Sequence, residues 1–425
     1  MMISREKIND FNTLLLVLIL ATIFFHSVST ILLVLFIILN LYNYQFLKFN
    51  KEKLLFISIL MLPFLMEIFF IWTSLDCLDI LKHIEKKLSF LIIPFFVISN
   101  YKSYSFFKIG NYYRYLFTLI VVILFIRFGV LYPDHVVKYL NGIHLWEMGY
   151  VISNSFGNHA PAVNLHVAYL VILNLYFLFK NLKSNAIING VLLLISLVVL
   201  LIINTRVSLL SVVICGGFIA LYFAYTKYRS KAIYYLGGFS ILCIFFLVIA
   251  FNTNPYMKEK YTKVTFSNIE MIGRLDEIEN PDEVLHNALV TRLTIWDSTI
   301  NLAKGKIWFG YGSANGKPKL FEYYQKTNQK FLSKYNFPVH NQFLDYLLKF
   351  GLLGFIMLIG YFLWLLWLAI QSKNILGLTF IVNFFLSNIF DDFLIRFDGI
   401  LFSAIWFTLI VVFYLKNKSR TINSF

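Results

Sequence analysis

Apolar runs of about 17–25 residues recur along almost the whole chain, and this feature restricts the possible folds most. Each run is long enough to cross the hydrocarbon core of a bilayer as a helix. The composition agrees, because 59% of the 425 residues are apolar and only 14% are charged, whereas soluble domains are about 45–50% apolar and about 25% charged. These numbers argue against a water-soluble enzyme and exclude a disordered chain. The sequence predicts an all-α, polytopic integral membrane protein.

The apolar runs predict about twelve transmembrane spans. They cover roughly 11–25, 29–47, 54–73, 88–99, 112–131, 163–180, 186–203, 207–226, 232–251, 342–370, 375–390 and 399–415. The first run lacks a small-residue cleavage site, so it is expected to remain as a span and not to be removed as a signal peptide. With the N-terminus inside, the inner short segments carry 16 basic residues and the outer ones 6. This asymmetry predicts that both termini are cytoplasmic.

The formal net charge of +15 does not indicate nucleic-acid binding here. The basic residues lie in short loops between apolar runs, where positive charge orients a membrane protein. The predicted partner is therefore the lipid bilayer and not a nucleic acid. The three cysteines, Cys77, Cys215 and Cys243, are widely spaced and indicate neither a disulfide framework nor a zinc site.

One long segment, 252–341, contains no run that could span a membrane, and the number of preceding spans places it on the outer side. It divides the chain into spans one to nine (1–251), the segment itself, and spans ten to twelve with a short cytoplasmic tail (342–425). Long hydrophilic loops in compact proteins are usually functional. We call 252–341 the cap segment.

Two helices are predicted within the cap segment. Asn280-Pro281-Asp282-Glu283 has a capping residue, a proline suited to the first helical position and two acids that complement the helix dipole. This helix should end near Gly305. The second is predicted from Pro318 to about Tyr335. The cap segment should therefore be a small helical unit and not a flexible tether.

His340 lies where the chain re-enters the membrane as the tenth span. A helix N-terminus disfavours an imidazolium, so His340 is expected to stay neutral and able to accept a proton. The alternative is that His340 merely caps an interfacial helix. Further along the same span, Gly351 and Gly354 are spaced to let another helix pack closely.

Two arginines are candidates for binding phosphate. Arg292 lies in the first predicted helix of the cap segment, with Trp296 one turn on and on the same face. A guanidinium placed there can grip a phosphate with two hydrogen bonds, although most arginines in exposed helices are simply solvated. Arg206 stands at a tight junction between two apolar runs, where it is either a snorkelling anchor or a cation that binds a headgroup.

Weaker signals surround these candidates. Gly310-Tyr311-Gly312 is a turn that is too short for a nucleotide fingerprint. His159 and His166 share one helix face, which hints at a lining role, but no third ligand lies near enough in sequence to predict a metal site. The chain contains no Asp-x-Asp, so nothing supports a metal-dependent sugar-nucleotide site.

Two groups of charged residues are expected to form ion pairs. The last outer turn contains a cluster expected to pair internally, Asp391, Asp392, Arg396 and Asp398. Glu67 and Arg127 lie within apolar runs toward the same outer face and are candidates to pair with each other.

Taken together, these motifs resemble the O-antigen ligase and O-antigen polymerase superfamily of bacterial envelope glycosyltransferases. The resemblance rests on an arginine after the seventh span, an Arg-x3-Trp helix followed by a Gly-x-Gly turn, and His-Asn followed after nine residues by Gly-x-x-Gly. These motifs are carried by Arg206, by Arg292, Trp296, Gly310 and Gly312, and by His340, Asn341, Gly351 and Gly354. Thr205 and Trp308 stand where the family often has serine and proline, and neither departure alters a chemical group of the motifs.

The resemblance implies a GT-C-like membrane protein in the bacterial inner membrane that needs no metal or other cofactor. It would transfer a glycan from an undecaprenyl-diphosphate carrier to an acceptor hydroxyl at the periplasmic face, with inversion at the anomeric carbon. By this resemblance Arg206 and Arg292 bind the diphosphate, His340 is the catalytic base, and the other motif residues support them.

The sequence leaves several functions open. A ligase would transfer the finished chain to lipid A-core, a polymerase would add repeat units to a growing glycan, and no residue decides between them; we favour the ligase. Protein-glycosylating relatives generally carry extra C-terminal sequence, whereas this chain ends soon after its last predicted span. A flippase for lipid-linked oligosaccharides should have midplane charges and a repeated topology, whereas the ionisable residues here concentrate at the outer face.

Overall fold

The computed structural model describes residues 5–71, 77–181, 184–229, 266–285 and 289–422, with isolated positions between 234 and 252. Within these residues the chain is helical and contains no strand. Its helices, numbered in chain order, are α1 (Arg5–Ala21), α2 (His26–Tyr42), α3 (Lys51–Leu60), α4 (Leu62–Phe69), α5 (Cys77–Lys86), α6 (Ser89–Ser99), α7 (Phe106–Leu131), α8 (Pro133–Leu140), α9 (Met148–Asn154), α10 (Ala160–Lys180), α11 (Ala186–Ile203), α12 (Arg206–Tyr228), α13 (Pro281–Val284), α14 (Leu289–Ala303), α15 (Gly316–Lys326), α16 (Lys330–Tyr335), α17 (Gln342–Gln371), α18 (Ile375–Phe390) and α19 (Phe397–Ile422).

Six of the described helices are long and apolar enough to cross a membrane, namely α7, α10, α11, α12, α17 and α19. Shorter apolar helices occur at Ile8–Ala21, His26–Tyr42 and Ile375–Phe390. These helices support a multi-pass membrane protein, but they do not establish the predicted number of twelve spans. The predicted span 232–251 lies outside the continuously described residues.

Two predicted spans differ from the helices observed. The run 54–73 is divided between α3 and α4, because Pro63 occupies the first turn of α4 and cannot continue the hydrogen-bond ladder of the preceding helix. The run 88–99 forms α6, which has only 11 residues and contains Pro94. At 1.5 Å per residue this helix falls well short of a bilayer.

The centre of the bundle is formed by α10 and α19. Within an apolar stretch of 18 residues in each helix, 83% of the residues in α10 and 89% of those in α19 are buried within the protein, against 33% in α7 and 28% in α11. Aromatic side chains join them: the ring of Trp406 lies 5.0 Å from that of Tyr169 and 5.8 Å from that of Phe380. Because α7 and α11 expose most of their apolar surface, they lie on the outside of the bundle, where such a surface fits a bilayer.

The described part of the cap segment has a small hydrophobic core of its own. Its buried members include Val290, Ile295, Leu320 and Tyr324, and Leu348 of α17 joins them. The cap segment is thus packed against one end of the bundle, which we call the cap side. The described part of the cap segment is a folded helical unit, as predicted.

The helix boundaries of the cap segment differ from the prediction. Asn280 has φ +50° and its side chain makes no capping hydrogen bond, and α13 ends at Val284. The helix α14 ends at Ala303 and is followed by a 3-10 turn through Lys306, close to the predicted stop at Gly305. The predicted second helix is two helices, since the chain turns at Asn328, where φ is +56°.

Gly310 and Gly351 allow the Gly310–Gly312 turn to pack closely against a break in α17. The prediction that Gly351 allows a second helix to pack is therefore wrong. Gly351 has φ +67° and ψ −165°, so the helical ladder is interrupted there. A Cβ on Gly351 would lie 2.3 Å from the Trp308 carbonyl, and one on Gly310 would lie 2.4 Å from the carbonyl carbon of Lys349. Gly354 does allow a close approach, because its Cβ would lie 3.1 Å from Met66 of α4.

The turn and the break in α17 exchange backbone hydrogen bonds. The N–H groups of Tyr311 and Gly312 donate to the carbonyls of Leu348 and Lys349 at 2.9 and 2.8 Å. In the opposite direction, Leu352 donates to the Ile307 carbonyl at 2.6 Å. The interrupted helix therefore satisfies its free backbone groups with the cap segment, as buried backbone groups require.

The predicted pairing of Glu67 with Arg127 is wrong. Glu67 forms a buried ion pair with Lys87, and Arg127 donates from Nη1 to the Ser155 carbonyl at 3.0 Å. Lys87 comes directly after α5, which was not predicted as a helix. An ion pair within hydrocarbon is costly unless both partners are enclosed by protein, and here both side chains are almost completely buried.

Candidate active site

His340 lies directly before α17 but does not cap it. The side chain of Asn341 performs that function, accepting hydrogen bonds from the N–H groups of Phe343 and Leu344 at 2.9 and 3.1 Å. His340 itself has φ +50° and a side chain that is 20% exposed. The alternative that His340 is an interfacial capping residue is therefore wrong, and its imidazole remains accessible for other interactions.

The imidazole of His340 is oriented by Asp391, at the end of α18. Its Nδ1 lies 3.5 Å from Oδ1 of Asp391. The two backbones are also joined, because the N–H of Gln342 donates to the Asp391 carbonyl at 3.1 Å. A histidine whose Nδ1 faces a carboxylate carries its proton there and presents Nε2 as the acceptor. The His–Asp pair thus has the arrangement of a general base and its orienting carboxylate.

The cap segment contacts the His340–Asp391 pair's neighbouring residues through Arg292 and Trp296, both on α14. Arg292 donates from Nη1 to the carbonyl of Phe390, the residue before Asp391. Trp296 donates from Nε1 to the carbonyl of Val339, the residue before His340, at 3.1 Å, and its ring lies 6.0 Å from that of Phe390. The predicted Arg-x3-Trp pair therefore contacts Phe390 and Val339, the residues that directly precede Asp391 and His340.

Arg206 reaches the same region from the start of α12. Thr205 precedes it, and the Thr205 hydroxyl accepts a hydrogen bond from Asn164 at 2.8 Å, which ties this junction to α10. Helix α9 packs tightly beside it, since a Cβ on Gly149 would lie 2.2 Å from the Ile203 carbonyl oxygen. Tyr150 follows Gly149 and lies near both arginines: burial raises the pKa of Tyr150, while the charges of Arg292 and Arg206 oppose the rise.

The turn between α18 and α19 forms ion pairs, although not entirely within itself. Arg396 lies 3.7 Å from Asp391 and 3.9 Å from Asp392, as expected of this cluster. Asp398 instead faces His166 of α10, with 3.6 Å between Oδ2 and Nε2. His166 is completely buried, so it serves this pairing and does not line an accessible cavity.

The two neighbouring carboxyls, Asp391 and Asp392, have opposite pKa shifts. Burial raises the pKa of Asp391, but the hydrogen bond from His340 and the charges of Arg396 and Arg292 outweigh it and hold the pKa well below its ordinary value. Burial and the charge of Asp391 raise the pKa of Asp392 well above its ordinary value. Asp391 therefore ionises much more readily than Asp392, since two adjacent buried carboxyls rarely ionise together.

His159, at the start of α10, is a second imidazole near this centre. Its ring lies 5.7 Å from that of Tyr150. Burial and the charge of Arg396 lower the pKa of His159 to about 4, with smaller contributions from His340 and Arg292 and an opposing one from Asp391. His159 is thus neutral at physiological pH, and the lining role suggested for it stays a prediction.

Three of these side chains carry atoms of the kind that bind cations. Oxygen and nitrogen atoms of His340, Asp391 and Asp392 all lie within 4.8 Å of one another. Arg396 already lies 3.7 Å from Asp391 and 3.9 Å from Asp392, however, and burial and the charge of Asp391 disfavour ionisation of Asp392. A divalent ion would compete with that guanidinium and would require Asp392 to ionise, so this donor set fits a metal poorly.

The predicted site residues therefore converge on one corner of the cap side. Arg292 contacts Phe390 and His340 contacts Asp391, which are consecutive residues, and Arg206 and Arg292 both lie near enough to Tyr150 for their charges to oppose the rise of its pKa. Residues 191–359 match the family model described as O-antigen ligase. This match places residues 191–359 in the O-antigen ligase and polymerase superfamily.

The superfamily resemblance predicted from the motifs is thereby confirmed. Membership indicates a glycosyltransferase-type enzyme of O-antigen or polysaccharide biosynthesis, with a lipid-linked glycan and an acceptor as partners. A comparison with curated protein sequences finds no match.

Sequence reasoning missed part of this centre. Asp391 and Arg396 were predicted to form a structural ion pair, and the contact of Asp391 with His340 was not foreseen. Two acids at the outer end of an apolar run, level with the start of the tenth span, were the available signal. Tyr150 carried no such signal, because it lies in a short helix that the hydropathy pattern does not reveal.

Proposed function

We propose that the protein is an O-antigen ligase that transfers a glycan from undecaprenyl diphosphate to a hydroxyl of lipid A-core. In this proposal the cap side is the periplasmic face of the bacterial inner membrane, and both termini are cytoplasmic. The observation that carries the proposal is the convergence of Arg206, Arg292 and the His340–Asp391 pair at the end of a membrane bundle. The family match supports the class of reaction.

The leaving group of this reaction is a diphosphate, whose negative charge grows as the bond to the anomeric carbon breaks. Arg206 and Arg292 are both partly exposed, and guanidinium groups remain charged and bind phosphate with two parallel hydrogen bonds. Donors aimed at charge that develops in the transition state contribute about 2.7–4 kcal/mol each in known oxyanion sites. We assign the donor diphosphate to these two arginines, which can stabilise it without a metal ion.

The acceptor hydroxyl must lose a proton as it attacks. We assign that proton to Nε2 of His340, because Nδ1 faces the ionised Asp391. The new bond joins the acceptor oxygen to the anomeric carbon, and the bond from that carbon to the diphosphate oxygen breaks. Because the attack is direct, the configuration at the anomeric carbon inverts. Asn341, Trp296 and the motif glycines act indirectly, by fixing His340 and the cap segment.

A lipid-facing stripe supports the position of the polyprenyl tail. Helix α11 ends three residues before Arg206. Side chains at helical spacing along it are exposed: Ile187, Val191, Leu194, Val198 and Leu201. A polyprenyl chain lying along this apolar face would bring its diphosphate to the level of Arg206, where apolar surface gives way to charge.

The role of His340 is tested with purified protein and the lipid-linked donor. We expect His340→Ala to lower turnover by about 10²–10⁴-fold, the usual effect of losing a general base. Donor binding should persist, because the arginines hold the diphosphate independently. His135→Ala, in α8, is the matched control and should retain full turnover. Near-normal turnover of His340→Ala would refute the base assignment, and loss of donor binding would move His340 to the diphosphate site.

The ligase assignment is tested by the envelope of a deletion strain. A ligase deletion should leave lipid A-core without O-antigen while carrier-linked polymer accumulates. Lipopolysaccharide that carries a single repeat unit would instead identify the polymerase of the same superfamily. Carrier-linked glycan retained on the cytoplasmic face would identify a flippase and overturn the glycosyltransferase proposal.

A further inference from the structure

The turn between α14 and α15 carries an exposed apolar tip, Ile307-Trp308-Phe309. The exposed fractions of these side chains are 37%, 65% and 52%. Other large apolar residues of the cap segment, Val290, Ile295 and Leu320 among them, are buried in its core. Three consecutive exposed apolar side chains, two of them aromatic, are typical of a surface that contacts another apolar phase.

The tip is fixed at the level where α17 becomes a membrane helix. The N–H of Leu352 donates to the Ile307 carbonyl at 2.6 Å, and that of Leu353 donates to the Trp308 carbonyl at 3.5 Å. These are the first residues after the break at Gly351, and from here α17 is strongly apolar. The tip therefore lies beside the cap-side end of a hydrophobic span.

The tip continues the lipid-facing surface of α17. Beyond the break, a stripe of exposed apolar side chains follows the helix, Leu353, Ile356, Leu363, Trp367 and Ile370. Because the tip is hydrogen bonded to the start of this stripe, the apolar surface passes from the span into the cap segment without interruption. The adjoining phase is then the bilayer, which already covers the stripe.

The charges before the tip complement a lipid headgroup layer. Lys304 and Lys306 are exposed and precede the three apolar residues. Tryptophan at the membrane interface, with lysines directed toward the headgroups, is the usual anchor of a membrane segment. The sequence Lys-Gly-Lys-Ile-Trp-Phe thus places two cations directly before three apolar side chains, the order that suits a headgroup layer above acyl chains.

A second apolar edge lies on the same part of the molecule. Helix α5 exposes Leu78 and Leu81. Lys87, directly after this helix, has its ammonium 5.3 Å from the ring of Tyr346 and 5.7 Å from that of Phe350. Both rings belong to the first part of α17, the part that the 307–312 turn also contacts.

We propose that the Ile307–Phe309 tip is inserted into the cap-side leaflet of the bilayer, at the boundary between headgroups and acyl chains. Lys304 and Lys306 contact anionic phospholipid headgroups. The cap segment is therefore anchored at two points, through α14 at the site and through this tip in the lipid. The proposal does not depend on the reaction that the protein catalyses.

The depth of the tip can be measured with a nitroxide spin label on Phe309→Cys, in a Cys77→Ser, Cys243→Ser background. The protein is placed in nanodiscs of phosphatidylethanolamine and phosphatidylglycerol. Oxygen, which partitions into lipid, and a water-soluble nickel chelate serve as the two relaxation reagents. Lys326→Cys, at the exposed end of α15, is the matched control. A second label, on Trp308→Cys, guards against failure of the first variant to fold.

We expect oxygen to relax the labels at 308 and 309 several-fold more than the nickel chelate does, and the label at 326 to show the reverse. Equal access of the nickel chelate to positions 309 and 326 would place the tip in water and overturn the proposal. A label at 309 that neither reagent reaches would also overturn it, because a second protein or a second copy of this chain would then cover the tip.

Discussion

Replacing Gly351 by alanine should detach the 307–312 turn from α17. The conformation at Gly351, φ +67° and ψ −165°, belongs to a region essentially confined to glycine, and an alanine forced into it costs about 1–3 kcal/mol. The new Cβ would also lie 2.3 Å from the Trp308 carbonyl. Relieving that contact requires the turn to move, which breaks the backbone hydrogen bonds around it, at about 0.5–1.5 kcal/mol each.

These contributions place the loss of docking free energy at about 3 kcal/mol or more, which is about two orders of magnitude in the population of the detached turn. Gly360→Ala is the matched control on the same helix, because a Cβ there meets nothing within 4 Å. Alanine at that position should be neutral, or more stable by up to about 1 kcal/mol from helix propensity.

The assay combines thermal unfolding in detergent with limited trypsin digestion. Detachment should lower the melting temperature of Gly351→Ala and speed cleavage after Lys304 and Lys306, which border the turn. Glycosyl transfer should fall with it, because the cap segment carries Arg292. If Gly351→Ala matches Gly360→Ala in melting and in cleavage, the inference that the turn depends on this glycine is refuted.

Three further predictions concern the charges of the site. Arg206→Lys and Arg292→Lys keep the charge but lose the planar guanidinium with its paired donors. Each should therefore lower the transfer rate by about 10²-fold or more without loss of folding. Full activity of both alanine variants would place the diphosphate elsewhere. Added chelator should leave transfer by the wild type unchanged, and inactivation that zinc or magnesium reverses would contradict this. Burial and the charge of Arg396 lower the pKa of His159 to about 4, so between pH 6.5 and 4 the unfolded chain binds a proton that the folded protein does not. Stability should therefore fall on acidification by up to about 1.4 kcal/mol per pH unit, and His159→Gln should flatten this part of a melting-temperature profile; an unchanged profile would refute the assignment.

The long apolar helices could be predicted from sequence to within a few residues, because twenty apolar residues in succession allow few other structures. The predicted spans 112–131 and 163–180 correspond to α7 and α10. The short helices were missed, since α5, α8 and α9 have ten residues or fewer and lie in segments that resemble loops. Ion-pair partners were less predictable, because Glu67 meets Lys87 only through the packing of α4 beside α5.

The site was predicted in part for a similar reason. Motif residues could be chosen by chemical type and spacing, but contacts between elements distant in sequence could not. Gly351 illustrates the limit: a glycine in an apolar run fits close helix packing as well as a helix break, and only the turn at Gly310 decides between them. Asp391 was recognised as charged and close to the outer face, whereas its contact with His340 depends on how α17 meets α18.

The contacts of α14 make docking of the cap segment and orientation of the catalytic pair one event. Arg292 holds the carbonyl of Phe390, next to Asp391, and Trp296 holds the carbonyl of Val339, next to His340. Both members of the pair are therefore fixed through backbone atoms of the residue that precedes them. A cap segment that moved away would release both at once and would also remove Arg292 from the proposed diphosphate site. Arg206 is held independently, through the contact of Thr205 with α10. A donor could thus remain bound at Arg206 while the cap segment is displaced. Its glycan would not be transferred in that state, because His340 would not yet be in place.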